Sequence, residues 1–216
     1  MPSSVSNSEW LKAYFADVSR DLTPASLQPA LVVLHAAVSK DPEVTERCCS
    51  VLSDAELQRA KRFAVPDQSN LFKQRRAFRR YCGALATGSS DALSQITFCG
   101  MENGQPRLLG QPDFRFSFSS CRLGFLAAWS SAFAPGVDFE DPGREIEAVD
   151  LARRYYSRTE ARAVESAGGL ARPNQFFQFW CLKEAALKSI GEGLPYGLDA
   201  FEFDLDPAVR VVRVPP

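Results

Sequence analysis

The chain has 216 residues, enough for one large domain or two small ones with a well-buried core. Hydrophobic residues make up 45% and charged residues 24%, a composition typical of an ordinary soluble globular protein. The 25 basic and 26 acidic residues leave a formal charge of -1, which argues against a dedicated nucleic-acid-binding protein, so no nucleic acid is expected as a partner. A single histidine, His35, excludes a histidine-rich zinc site.

The six cysteines and the N-terminus bear on the cellular compartment. No two cysteines have the C-x-x-C spacing, and the first ten residues show no basic region followed by an apolar run. No stretch reaches the roughly 20 apolar residues of a membrane span. We therefore expect reduced thiols, a cytoplasmic protein and no membrane partner.

The first elements are predicted from apolar spacing. A helix is predicted over residues 8–22, with Ser8 as its N-cap, followed by a linker over 23–29 and a short buried strand over 30–38. His35 lies in this strand, and no neighbouring residue completes a catalytic group with it.

A basic stretch follows a capping box. Ser53 and Glu56 have the spacing at which each satisfies a backbone donor of the other, so a helix is predicted to begin there. From Arg59 to Arg80 there are eight lysines or arginines and one acid, interleaved with aromatic residues. A solvated helix face is the simplest interpretation. A nucleic-acid patch, a site for a phosphate-rich ligand and a surface for an acidic protein remain alternatives.

The later elements mix strands and helices. After a turn at 103–106, phenylalanines alternate with polar residues over 114–119, which predicts a strand with one buried face, and a returning strand follows over 123–129. Three helices and a last strand are predicted over residues 147–156, 159–167, 176–190 and 201–205. Because the elements do not alternate as strict βαβ units, the predicted fold class is α+β.

Two carboxylates lie in a segment predicted to be a strand over 135–140. Residues two apart on a strand share a face, so Asp138 and Glu140 should converge while Val137 and Phe139 enter the core. Such a pair suits a hard cation such as Mg²⁺. Acid pairs on strand faces are also common without any metal.

A second pattern lies on the long helix predicted in the second half. Glu184 and Lys188 are four residues apart and share a helix face. An ordinary ion pair between them is the simplest interpretation, and only the combination with the first pattern is specific.

The sequence Gly-Val-Asp-Phe-Glu at 136–140, followed by Trp-x-x-Lys-Glu-Ala-x-x-Lys at 180–188, resembles the signature pair of the 4′-phosphopantetheinyl transferases. The similarity is to their larger, monomeric, surfactin-synthetase-activating type. Supporting segments lie in the family's order at residues 52–63, 104–106, 116–121 and 155–160. The resemblance extends from about residue 31 to residue 205.

The resemblance implies transfer of the 4′-phosphopantetheine arm of coenzyme A to a serine of an acyl or peptidyl carrier protein, with release of 3′,5′-ADP. This reaction would serve polyketide, nonribosomal peptide or fatty acid biosynthesis. The implied monomer has two similar α+β halves, each a small, mainly antiparallel sheet packed with helices, with the active site in the cleft between them. We expect an N-terminal helical extension over 1–29, a coenzyme A side with the basic helix face over 30–135, and the metal site and signature helix over 136–216. The chain ends sooner than this type leads us to expect, which predicts a trimmed second half.

The resemblance also implies the site. Mg²⁺ would be held by Asp138, Glu140 and Glu184, and Lys188 would pair with a phosphate oxygen. Glu160 matches a glutamate proposed to help deprotonate the serine, although Ser157-x-x-Glu160 is equally a capping box, and both interpretations stay open. The residues expected at coenzyme A are Arg59, Arg62, Gln105, Pro106, Ser119, Ser120, Lys183 and Lys188.

The chain departs from the family at positions that contact coenzyme A. Ser120 stands where the family has a phosphate-binding histidine, Gln105 where it has a lysine, and Asn70 where it usually has a basic residue. Three cations are near enough in sequence to compensate, namely Lys73, Arg75 and Arg76. These departures are the basis of an alternative function, a catalytically weakened family member that acts as a carrier-protein-binding module.

Overall fold

The computed structural model describes residues 6–22, 30–100 and 105–216, and these contain seven α-helices and eight strands. The elements in chain order are α1 (Asn7–Val18), β1 (Ser19–Asp21), β2 (Val32–Ala37), α2 (Pro42–Cys49), α3 (Asp54–Ala60), α4 (Pro66–Thr87), β3 (Phe98–Gly100), β4 (Pro106–Leu108), β5 (Gln111–Cys121), β6 (Gly124–Ser130), α5 (Ala148–Tyr155), α6 (Arg158–Ser166), α7 (Ala171–Ile190), β7 (Glu202–Asp204) and β8 (Arg210–Arg213). Of the helices described, none combines the length and the apolar character that crossing a membrane would require. The mixed α+β class is confirmed.

The first core lies between a six-stranded antiparallel sheet and helices α1 to α4. The strand order is β1-β2-β6-β5-β4-β3. Phe78 of α4 packs between Phe15 of α1 and Phe125 of β6, with ring centroids 5.6 and 5.5 Å away. The predicted strand of alternating phenylalanines is confirmed as β5, where the buried Phe116 is paired with Trp129 of β6.

The N-terminal segment differs in detail from its prediction. The helix ends at Val18 and not at residue 22, because Ser19–Asp21 pair with β2 as an edge strand. Its N-cap is Ser6, whose hydroxyl accepts the Glu9 N–H, while the Ser8 hydroxyl accepts the N–H of Leu93 at 2.7 Å. The predicted linker at 23–29 lies outside the described residues, as does the first half of the predicted turn at 103–106.

The second core is built by α5, α6, α7 and the β7-β8 hairpin. Phe176 and Leu187 of α7 and Val164 of α6 are fully buried in it. Helix α7 ends at Ile190 and is capped by Gly191, where φ is +77°, so the predicted end of this helix at residue 190 is confirmed. This core has a sheet of two strands and the first a sheet of six, so the two cores differ in size and the expected similarity of two halves is not confirmed.

The segment that carries Asp138 is not a strand. The prediction over residues 135–140 is wrong, because this backbone joins no ladder and is held by side chains instead. The Ser117 hydroxyl accepts the Val137 N–H at 3.0 Å, and Lys188 of α7 donates to the Val137 carbonyl at 3.2 Å. Val137 enters the core as predicted, whereas Phe139 is half-buried with its ring against His35.

Candidate active site

Asp138 lies where β5, the 135–140 segment and α7 meet. Its carboxylate is 6% exposed, and its Oδ1 accepts hydrogen bonds from the Ser119 hydroxyl at 2.8 Å and from Lys188 Nζ at 2.6 Å. Its Oδ2 is buried and has no hydrogen-bond partner among the residues described. A buried carboxylate oxygen without a partner costs free energy, so this position favours a further cation or donor.

The negative charge of Asp138 acts on both Glu140 and Glu184. Burial raises the pKa of Glu184, the charges of Asp138 and Glu140 raise it further, and Lys188 opposes them. Burial and Asp138 likewise raise the pKa of Glu140, against the opposing charge of Arg144, whose guanidinium lies 3.5 Å from it. The structure therefore brings the three predicted carboxylates into mutual repulsion.

This acidic cluster can be compared with the needs of a divalent cation. Three carboxylates supply the oxygen donors that Mg²⁺ prefers, and a cation would relieve both their repulsion and the unpartnered Asp138 oxygen. The donor set thus fits such an ion in chemistry and charge. In the described part of the chain, however, no three Asp, Glu, His or Cys side chains already converge as a metal-binding group. Lys188 contacts Asp138, and Arg144 contacts Glu140. The Mg²⁺ site stays a prediction.

A cavity of about 220 Å³ lies beside this cluster. Lys188 lines it, together with Gln105, Pro106 and Phe118. Gln105 Nε2 donates to the Lys188 carbonyl at 2.9 Å, which ties the start of β4 to the end of α7. Three residues expected at coenzyme A, Gln105, Pro106 and Lys188, are therefore together at one cavity.

Ser119 and Ser120 face different partners because successive residues of a strand point to opposite faces. Ser119 donates to Asp138, whereas Ser120 Oγ accepts from Arg75 Nη1 at 3.4 Å. Of the three cations named from the sequence as possible compensation, Arg75 is the one at Ser120. Arg76 instead forms an ion pair with Glu56.

Arg79 is a cavity residue that the sequence analysis did not single out. It lines the same cavity as Lys188 and Gln105, and its guanidinium lies 4.8 Å from the centroid of the Phe118 ring. The spacing of four residues from Arg75 within the basic stretch is the signal that could have indicated it, since residues four apart share a helix face.

Glu160 and Lys183 lie outside this site. Both side chains are 0% exposed and form an ion pair of 2.7 Å. Glu160 Oε2 also accepts the Ser157 N–H, and Oε1 accepts the Phe203 N–H, both at 2.9 Å, so the capping-box interpretation is confirmed.

The remaining hydrogen bonds of Lys183 are also made within the core. Its ammonium group donates to the carbonyls of Leu198 at 3.0 Å and Phe201 at 2.6 Å. Neither the Lys183 nor the Glu160 side chain is exposed to a ligand in this structure, so nothing in its geometry supports the predicted cofactor contact of Lys183, and the base role of Glu160 stays a prediction. Burial of the signature lysine depends on tertiary packing and could not be read from the spacing.

Arg59 and Arg62 line a separate groove with Phe63, and both are exposed. The structure does not bring them to the cavity of Lys188. His35 is confirmed as a strand residue, and burial followed by the charge of Arg20 lowers its pKa, so it is neutral near pH 7.

The comparisons with known proteins match this part of the chain. Residues 134–213, which hold the Asp138 segment and α7, match the family model of the 4′-phosphopantetheinyl transferase superfamily. The resemblance predicted from the two motifs is therefore confirmed.

Individual relatives share the similarity at modest identity. The chain is 33% identical over 111 residues to the 4′-phosphopantetheinyl transferase psf-1 of Bacillus pumilus, covering 50% of this chain and 46% of the relative. It is 29% identical over 112 residues to Sfp of Bacillus subtilis, covering 52% and 49%. It is 28% identical over 161 residues to HetI of Nostoc sp., covering 73% and 67%. The chain spans about half the length of the Bacillus relatives it matches.

Proposed function

We propose that this protein is a Mg²⁺-dependent 4′-phosphopantetheinyl transferase that moves the phosphopantetheine arm of coenzyme A to a serine of an acyl or peptidyl carrier protein. The observation that carries the proposal is the position of Asp138. Its carboxylate, in the segment matching the superfamily, accepts a hydrogen bond from Lys188 of the second motif. The resemblance further implies a cytoplasmic monomer. The relatives reported above are all named 4′-phosphopantetheinyl transferases.

The reaction defines what the site must do. A bond forms between the serine oxygen and the pantetheine phosphorus, the pyrophosphate P–O bond breaks, 3′,5′-ADP leaves and the serine proton is released. When bound, the metal would neutralise the charge that develops on the leaving phosphate. Asp138, Glu140 and Glu184 would hold the ion. Lys188, already at the edge of the cavity, would pair with a phosphate oxygen.

The partner protein would approach from the basic side. Arg59 and Arg62 are exposed cations outside the cavity, and carrier proteins of this kind are acidic. Complementary charge of this kind accelerates encounter more than it tightens binding. We therefore assign Arg59 and Arg62 to carrier attraction.

The binding-module alternative rests on the departures at Ser120 and Gln105. The comparisons do not favour it. The presence of Arg75 at Ser120 also supplies a positive charge close to the position where the family has a histidine.

The test is a mass measurement on the carrier. The protein is incubated with coenzyme A, Mg²⁺ and an apo carrier protein, and the carrier should gain the phosphopantetheine mass. A carrier whose acceptor serine is replaced by alanine is the control and should gain nothing. Absence of any gain across several carriers that still bind the protein would contradict the transferase and support the binding module.

A further inference from the structure

Helix α4 carries four arginines that are unequally paired. Arg76 and Arg80 both contact the carboxylate of Glu56, at 2.5 and 2.8 Å. Within residues 6–22, 30–100 and 105–216, no carboxylate lies at ion-pair distance from Arg75 or Arg79. Because these two are four residues apart, they lie on one face of the helix as two adjacent positive charges without an anion.

Both unpaired arginines are largely removed from solvent. The Nε atom of each is buried and finds no hydrogen-bond partner among the described residues, as is also true of the Nε atom of Arg80. Burial lowers the pKa of both, and neighbouring arginines lower it further, for Arg79 to about 10. Both therefore remain charged near pH 7, and two desolvated like charges cost free energy that a bound anion would offset.

The position of the pair relates it to the proposed site. Arg79 lines the cavity that Lys188 also lines. Arg75 donates to Ser120, the neighbour of the serine that donates to Asp138. The ring of Phe118 lies under the Arg79 guanidinium and orients it.

We propose that Arg75 and Arg79 form an anion site that binds a phosphate group of the nucleotide substrate, with Arg75 supplying the charge that Ser120 lacks. The planar guanidinium group offers paired donors to phosphate oxygens. Two such groups on one helix face therefore suit a phosphate ligand. The identity of the nucleotide as coenzyme A rests on the proposed function. The anion site itself rests on the burial of the two arginines and on the lack of a carboxylate at ion-pair distance from either of them among the described residues.

The experiment measures binding of inorganic pyrophosphate to the full chain by calorimetry, with EDTA present so that no metal contributes. Arg75→Gln and Arg79→Gln should each weaken binding roughly ten- to hundredfold, the usual effect of losing a charged hydrogen bond. Lys73→Gln is the control, because it removes one positive charge from the same helix at a residue that neither lines the cavity, as Arg79 does, nor donates to Ser120, as Arg75 does, and it should change affinity less than about twofold. Arg79→Lys, which keeps the charge, should retain part of the affinity.

The melting temperatures of the variants show whether a loss of binding comes from unfolding. Removal of an unpaired buried charge should leave the melting temperature of Arg79→Gln equal to that of the unmodified chain or above it. Folded Arg75→Gln and Arg79→Gln proteins that bind pyrophosphate as tightly as the unmodified chain would overturn the proposal.

The same variants separate this proposal from the proposed function. If the unmodified chain binds pyrophosphate through the two arginines but modifies no carrier, the anion site stands and the transferase fails. If the chain modifies carriers and the KM for coenzyme A is unchanged in both glutamine variants, the transferase stands and the anion site fails.

Discussion

Asp138 is the residue at which the two sequence motifs meet in three dimensions. It joins the 135–140 segment to β5 through Ser119 and to α7 through Lys188. One oxygen of this carboxylate accepts two hydrogen bonds from protein donors, and the other is buried without a hydrogen-bond partner among the described residues. A residue that served only as a structural anchor would be expected to have both oxygens satisfied.

Replacement of Asp138 by alanine should abolish most transfer. Loss of a group that stabilises developing charge costs about 10² to 10³ in kcat in comparable sites. Glu184→Gln should behave in the same way, and both variants should remain folded by circular dichroism. Asp150→Asn, at an exposed acid on α5, is the matched control and should keep full activity. Full activity of Asp138→Ala would refute its proposed role.

The buried pair of Glu160 and Lys183 should act on stability and not on chemistry. Glu160→Gln leaves the Lys183 ammonium charged in an enclosed core, so the free energy of unfolding should fall by about 3–5 kcal/mol in urea denaturation. Replacing Lys183 by methionine in the same protein should recover part of that loss. Activity per folded molecule should be retained. A Glu160→Gln protein of normal stability and no activity would instead support a base role.

At the scale of elements, α3 and α4 are joined by one carboxylate. Glu56 completes the capping box of α3 and contacts two arginines of α4. Burial alone would raise the pKa of Glu56, but the hydrogen bond from Arg80, the Ser53 backbone donor and the charges of Arg80 and Arg76 outweigh it and lower the pKa.

Acid should therefore weaken this junction. Because the folded pKa of Glu56 is below its unfolded value, its contribution to stability is complete above roughly pH 4.3 and is lost as the pH falls through the lower folded value. The unfolding free energies of the unmodified chain and Glu56→Gln should differ more at pH 7 than at pH 3. Chemical denaturation at several pH values measures this difference, and a gap that does not shrink on acidification would contradict it.

The approach of the 135–140 segment to α7 depends on Gly136. A Cβ atom built there would lie 1.8 Å from the Ala185 carbonyl oxygen, so any side chain must push the segment away from the helix. The first motif thus requires a glycine at this position because the helix of the second motif leaves no room for a side chain.

Gly136→Ala should consequently destabilise the protein by about 1–3 kcal/mol and reduce transfer, because Asp138 would move away from Lys188. Gly168→Ala is the control, since no atom lies within 4 Å of a Cβ added there. Thermal unfolding and the carrier assay measure both effects. Equal stability and activity of the two variants would show that the close approach is not required.

At the scale of the whole molecule, the residues around the candidate site come from elements of both cores. Ser117 and Ser119 come from the six-stranded sheet, whereas Lys188 comes from the helix of the second core. Gln105 also crosses this boundary by its hydrogen bond to the Lys188 carbonyl. The cavity is therefore lined by charged groups from both cores, among them Arg79 and Lys188.

Local signals explain what could be predicted. Period-two phenylalanines in β5, the capping boxes at Ser53 and Ser157 and the glycine end of α7 depend on residues within four positions of one another. The β5 strand, the capping box at Ser53 and the end of α7 were predicted correctly for this reason, whereas the capping box at Ser157 was one of two interpretations that the sequence left open.

Contacts between distant segments explain what could not be predicted. The helix over 8–22 stops early because the pairing partner of β1 is β2, and the segment over 135–140 is no strand because no neighbouring strand pairs with it. Neither fact is visible in the local spacing, since a ladder needs a partner from elsewhere in the chain.

The sequence alone determines the features that depend on composition and short-range periodicity. These are the single histidine, the near-neutral charge, the two motifs at 136–140 and 180–188, and the α+β class. Tertiary structure alone decided that Lys183 is buried against Glu160, while Arg75 and Arg79 have no carboxylate at ion-pair distance in the part of the chain that the structure describes. The physical reason is that burial and charge pairing are properties of the assembled chain. Packing brings Lys183 to a carboxylate of the protein itself, whereas among the described residues it brings none to Arg75 or Arg79.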